Sequence, residues 1–308
     1  MIQIILLYTL YGIVFILGKQ ALLFSKPIFL TGIRMLVAGI FSFILYRLWY
    51  HRISWSSITR YQAWYILLLG VFNVYLTNAN ESWSLQYLST GKVAFIYNLS
   101  PFFSLIFCRF MFKEPITWQK VIGMVIAAIS ITPLLVENSN MDIIDSTLKF
   151  GPISLAEVIM IIAAAATAYG WVIMKYLMEQ RSDFNSYFLN AVSFMIGGIL
   201  CCVQAYYTES PPYVVAGYAG SFAFYMMSMM TIQNLVAYNF NAYVLKTHSP
   251  TLVILFSFVM PIITGVLGYL MLSEPLSAQF LICSAGVAIG LLIFYQEELA
   301  QEKQGLLS

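Results

Sequence analysis

Apolar stretches long enough to cross a bilayer, about 20 residues each, follow one another along almost the whole chain. Their edges, read from turn and polar signals, place ten of them at about 2–22, 28–49, 61–83, 89–112, 117–137, 153–177, 184–207, 214–243, 249–272 and 277–296. Short polar connections such as FSKP, FKEPITWQK, MEQRSDF and TESPP separate them. A chain of this kind cannot hide its apolar surface inside a water-soluble core. Only 9% of its 308 residues are charged and 61% are hydrophobic, whereas a soluble domain carries roughly 25% charged residues. The predicted fold class is an all-α polytopic membrane protein with ten transmembrane helices, and the lipid bilayer is its expected surroundings. The net charge of +2 gives no reason to expect a nucleic-acid partner. The opening run MIQIILLYTLYGIVFILGK lacks a basic leader and a small-residue cleavage site, so it reads as a first span. Cys108, Cys201, Cys202 and Cys283 lie in apolar runs without metal-ligand spacing and read as buried packing residues.

Lysine and arginine set the expected orientation. With the N-terminus inside, the inner segments hold Arg47, Arg52, Arg60, Arg109, Lys113, Lys120, Lys175, Arg181, Lys246 and Lys303. The outer segments hold Lys19, Lys26, Lys92 and Lys149, and Arg34 lies within a span. This asymmetry predicts that both termini are cytoplasmic.

Two stretches align without gaps at an offset of 160, SPFFSLIFCRFMFKEPITWQKVIGMVIAAIS from Ser100 and MPIITGVLGYLMLSEPLSAQFLICSAGVAIG from Met260. Pro101 matches Pro261, and Glu114-Pro115 matches Glu274-Pro275. An early Tyr11-Gly12 pairs with Tyr169-Gly170 at an offset of 158. The expected organisation is a first five-helix repeat over 1–137, an extracytoplasmic linker over 138–152, a second repeat over 153–296 and a polar cytoplasmic tail over 297–308. Because five is odd, the second repeat must enter the membrane upside down, an arrangement typical of secondary transporters with a central site. A duplicated scaffold that transports nothing is the alternative.

These residues resemble the ten-helix EamA-type transporters of the drug/metabolite transporter superfamily. That family's pattern in each half is a proline in the fourth helix, a glutamate before the fifth, then spaced glycines. The matching positions are Pro101, Glu114 and Gly123, then Pro261, Glu274 and Gly290. Cys283 and Ser130 stand where further glycines would fall, and both are small enough for close helix packing. Glu114 and Glu274 read as helix-boundary elements, and Gly123, Ala127, Gly286 and Gly290 as close-packing surfaces.

The stretch NVYLTNANESWSLQYLSTGK, Asn73 to Lys92, is unusually polar for this chain. On an α-helix, Asn73, Thr77, Asn80, Glu81 and Ser84 share one face. The segment therefore reads as the outer half of span three, with its polar stripe turned inward. In span eight, Asn234, Tyr238 and Asn241 form a matching stripe, and Glu81 corresponds to Asn241 at the offset of 160. Amides in hydrocarbon are costly unless paired or wet, so two matching stripes suit a shared cavity; the alternative is that they only bond helices together. Glu81 is read either as the partner of a cationic substrate or proton, or as neutralised by Lys92. Lys92 opens span four ahead of Tyr97 and Asn98, and either binds substrate or snorkels to the interface. Trp83 stands beside Glu81, while Tyr11, Tyr169 and Trp171 offer mid-span aromatic faces. Arg34 is expected to brace helices rather than touch cargo.

Enzymes are disfavoured, because zinc-protease, nucleophile-elbow and phosphate-loop motifs are missing, and no cofactor is expected. The expected function is secondary transport of a small polar metabolite by a monomer in a bacterial inner membrane. NESWSLQYLSTGKVAFIYNLSPF resembles the same region of EamA-type proteins from obligate intracellular bacteria, some of which exchange S-adenosylmethionine for S-adenosylhomocysteine. The resemblance implies Glu81 for the sulfonium or ammonium, Lys92 for the carboxylate, and Trp83 or Tyr97 for adenine. A proton-coupled exporter of amino acids or other metabolites and a non-transporting scaffold remain open.

Overall fold

The computed structural model describes residues 2–50, 57–136, 149–150, 153–246, 248, 250–272 and 278–303. Glu274-Pro275, His51, the acidic run Asp142–Asp145 and most of the expected linker lie outside them. The described chain is helical apart from a two-residue antiparallel pair, β1 (Lys149–Phe150) and β2 (Ile153–Ser154). In order, its α-helices are α1 (Ile2–Ala21), α2 (Pro27–Trp49), α3 (Arg60–Leu69), α4 (Thr77–Ser84), α5 (Thr90–Tyr97), α6 (Ser100–Met111), α7 (Trp118–Val136), α8 (Leu155–Gln180), α9 (Ser186–Thr208), α10 (Ala219–Met229), α11 (Tyr238–Leu245), α12 (Pro250–Leu255), α13 (Val259–Leu272) and α14 (Ala278–Lys303). Pro27 sits in the first turn of α2, where its missing N–H costs nothing. Thr59 with Gln62 closes a capping box at the start of α3, and Ser154 with Glu157 does the same for α8.

Among the described residues, six helices are long and apolar enough to cross a membrane: Gln3–Ala21, Pro27–Trp49, Thr90–Met111, Leu155–Gln180, Ser186–Thr208 and Ala278–Gln301. The bundle carries large apolar side chains on its outside and buries polar ones within its core. Leu48 and Ile282, 71% and 70% exposed, point outward, as do Ile40, Ile129, Ile199 and Leu292, while Arg34, Asn78 and Asn234 are buried. An apolar exterior that surrounds buried polar side chains marks an integral membrane protein.

The third and eighth expected spans share a departure from α-geometry. Between α3 and α4 the backbone is π-helical over Gly70–Leu76, and between α10 and α11 it is π-helical over Met230–Ala237. The two stretches stand at equivalent places in the 160-residue register, and each turn of π-helix takes in an extra residue.

α2 lies antiparallel beside α9, with Tyr46 against Phe188 at one end and Glu209 bonded to the Ile28 and Phe29 amides at the other. The Ser25–Val214 bridge and the Phe29–Tyr213 stack fasten that second end. On the opposite face, Arg181 binds Asp183 and the Ser57 carbonyl and hydroxyl; its guanidinium holds the Asp183 carboxyl below the usual carboxylate range. α7 and α14 approach through small residues, since a Cβ on Gly123 would stand 2.5 Å from the Gly290 carbonyl oxygen. Elsewhere the π-helical stretch Gly70–Leu76 rests on α8, where a Cβ on Gly170 would stand 2.7 Å from the Asn73 Cα.

That approach makes Gly170→Ala an overpacking change, expected to cost about 1–3 kcal/mol. Gly220→Ala is the control, because a Cβ there meets nothing within 4 Å. Thermal unfolding in detergent should show a lower midpoint for Gly170→Ala alone; equal midpoints would contradict the packing described.

Candidate functional site

The polar centre of the bundle is built around a buried cation. Arg34 on α2 is 1% exposed. One guanidinium nitrogen donates to the Gln233 side-chain carbonyl, and the other donates to Asn78 Oδ1 at 3.1 Å. Asn78 Nδ2 donates to the Tyr238 hydroxyl at 3.1 Å, and that hydroxyl donates to the Asn73 carbonyl at 3.2 Å. Asn78 and Tyr238 are 160 residues apart, so positions that match in the 160-residue sequence register bond directly to one another. Gln233 and Tyr238 come from one side of span eight because the backbone between them is π-helical, which brings positions i and i+5 together.

Beside this network lies a chamber lined by Tyr11, Val14, Phe15, Thr77, Glu81, Tyr97, Trp171, Gln233, Tyr238 and Met260. Its aromatic rings touch one another: Trp171 lies 5.1 Å from Tyr238 between centroids, Tyr11 lies 6.4 Å from Tyr238, and Phe15 lies 6.1 Å from Tyr97. Glu81 supplies the sole acid among those lining residues. A carboxylate framed by ring faces attracts cations. The space left at the centre is about 20 Å³, enough for water and little else.

A second cavity of about 370 Å³ opens on the face that carries Lys26 and the 85–89 turn. Asn80, Trp83 and Tyr87 form one wall and Gln204, Thr208 and Glu209 another. α4 separates the two spaces, with Thr77 and Glu81 on the chamber side and Asn80 and Trp83 on this vestibule side.

The EamA-like transporter family matches residues 1–136 and again 154–296. The chain belongs to that family. It is 30% identical over 288 residues to the S-adenosylmethionine/S-adenosylhomocysteine transporter of Chlamydia muridarum (strain MoPn / Nigg), covering 93% of this chain and 88% of the relative. The transporter of the same name from Chlamydia trachomatis serovar L2 is 29% identical, covering 93% and 86%. A solved crystal structure superposes with a TM-score of 0.65 at 16% identity, covering 95% of this chain and 93% of the other, and supports the fold. As an EamA-like protein, the chain is a membrane transporter of small metabolites and not an enzyme.

Within this EamA-like chamber the thirteen expected site residues separate. Tyr11, Thr77, Glu81, Tyr97, Trp171 and Tyr238 line it together. Asn80 is turned away from Glu81 into the vestibule with Trp83, because neighbouring residues on an α-helix diverge by about 100°. Asn241 stands behind the wall and donates to the Tyr11 hydroxyl at 3.3 Å. Asn234 meets the Met35 sulfur instead, since the π-helix moves Gln233 into the place an α-period gives to Asn234. Asn98 is buried at the break between α5 and α6 and accepts from Ser257 at 3.3 Å. Tyr169 packs on Phe72 and Phe107 and does not line the chamber, whereas Trp171, at 160 from Tyr11, does. Lys92 does not pair with Glu81: its Nζ lies 2.9 Å from Glu157 on α8, with both side chains buried. Val14, Phe15, Met260, Gln233 and Asn78 are not among the expected residues, and the first three carry no signal that distinguishes them from packing residues.

Breaking a buried ion pair from one side costs about 3–5 kcal/mol, and replacing both partners is far milder. Lys92→Met should therefore lower the melting temperature strongly, and Lys92→Met with Glu157→Gln should restore most of it and retain transport. A stable Lys92→Met protein that cannot transport would instead make Lys92 a ligand.

Proposed function

We propose that the protein exchanges S-adenosylmethionine for S-adenosylhomocysteine across a bacterial inner membrane. The supporting observation is the Glu81 carboxylate within the ring-lined chamber of Tyr11, Tyr97, Trp171 and Tyr238. A sulfonium is a soft, weakly hydrated cation, and ring faces with one carboxylate suit it. The demethylated product is a neutral thioether, so the same site holds it less tightly and releases it for the next methylated molecule. The names of the chlamydial relatives agree with this reading.

Transport proceeds by alternating access between two inverted five-span halves, with the chamber where they meet. In this view the chain works as a monomer with both termini in the cytoplasm, and the vestibule is the outer mouth. The chamber as described is closed around water-sized space, so admission of a nucleoside requires the walls from α1, α8 and the two π-containing spans to part.

A proton-driven exporter is the competing reading, and Glu81 in the chamber is the observation that favours it. Counterflow in reconstituted vesicles separates the two. Labelled S-adenosylmethionine should enter only vesicles preloaded with S-adenosylmethionine or S-adenosylhomocysteine, and a pH gradient alone should move none. Two unit charges 4 Å apart at an effective dielectric of 20 interact by roughly 4 kcal/mol, so Glu81→Gln should reduce exchange at least about a hundredfold without loss of folded protein. Accumulation driven by a pH gradient, or failure of S-adenosylhomocysteine to compete, would refute the exchange reading.

A further inference from the structure

The vestibule is larger than the chamber by a wide margin, about 370 Å³ against about 20 Å³, and falls in the range of small-molecule sites, roughly 300–1,000 Å³. Its chemistry is also different. Trp83 near the end of α4 and Tyr87 in the turn that follows have ring centroids 4.7 Å apart, forming an aromatic wall. Asn80, Gln86 and Gln204 put amides around that wall, and Lys26 is exposed at its edge. The carboxylate in the cavity, Glu209, is bonded through both oxygens to the amides of Ile28 and Phe29 at 2.8 and 2.9 Å. Its charge is thereby directed at the start of α2. A flat ring, amide donors and acceptors, and a lysine together suit a purine carried on a molecule with a carboxylate.

We propose that the vestibule is a second binding station, which holds the substrate by its purine ring on Trp83 and Tyr87 and by its carboxylate on Lys26 before the chamber opens. This rests on the exchange reading for the nature of the ring, though not on Glu81. The site separates two recognition tasks on either side of α4: the ring is read at Trp83 and the cation at Glu81. Loading the vestibule first lets a ligand wait within one helix thickness of a chamber that is still shut.

The test uses the full-length protein in detergent and in vesicles, with adenosine as a probe that has the ring but neither sulfonium nor carboxylate. Adenosine should bind wild type and Glu81→Gln alike. Loss of an aromatic stacking partner is worth about tenfold in affinity, so Trp83→Leu should weaken adenosine binding about tenfold, with Trp83→Phe in between. In counterflow, Trp83→Leu should raise the KM for S-adenosylmethionine about tenfold, with a much smaller change in maximal rate. Lys26→Gln should weaken S-adenosylmethionine binding and leave adenosine binding in place. Unchanged adenosine affinity in Trp83→Leu, or its loss in Glu81→Gln, would overturn the second station while leaving exchange itself intact. Adenosine binding that depends on Trp83 in a protein with no counterflow of S-adenosylmethionine would support the station and refute the exchange reading.

Discussion

A guanidinium in the interior of a membrane bundle is costly unless its charge and its N–H groups are met, and Arg34 is the cation on which this interior is organised. Gln233 meets it from the π-helical stretch Met230–Ala237 and Asn78 from α4, and Tyr238 ties Asn78 onward to the Asn73 backbone. Three spans are therefore fastened through one side chain, at the level where the repeated segments bond to each other. Two Arg34 nitrogens are committed to amides, and Glu81 faces the chamber beside that network.

The second constraint is backbone. The π-helical stretches Gly70–Leu76 and Met230–Ala237 rotate everything beyond them relative to an α-helix. They also let close contacts form, because Gly170 and Gly197 leave room for Asn73 and Val74 to lie directly on α8 and α9. The result is a polar stripe divided among three destinations: Asn73 against α8, Thr77 and Glu81 in the chamber, Asn80 in the vestibule.

Much of this was legible in the residue order. Hydrocarbon runs declare the membrane, and the polar stripes of spans three and eight mark the region where the chamber forms. Errors arose where a regular period was assumed through an irregular helix. An α-period puts Asn234 on the face of Tyr238 and gives no reason to look at Gln233, whereas this turn closes over five residues. Proximity in sequence points Lys92 to Glu81, but Glu157 comes to it from α8, a tertiary contact that no local pattern records. An arginine within a span suggests a brace between helices, and Arg34 is bonded to Gln233 and Asn78. Phe15 and Met260 look like any other apolar residues in such a chain, so their place in the chamber wall becomes visible only in three dimensions.

The account turns on where a cationic cargo rests. A crystal structure with S-adenosylmethionine bound tests it most directly, since ring-framed cation sites hold the charge within about 6 Å of the ring centroids. The sulfonium is expected among Tyr11, Tyr97, Trp171 and Tyr238, next to the Glu81 carboxylate. A ligand in the opened chamber with its sulfur turned away from Glu81, or one bound outside the space between the two halves, would contradict it.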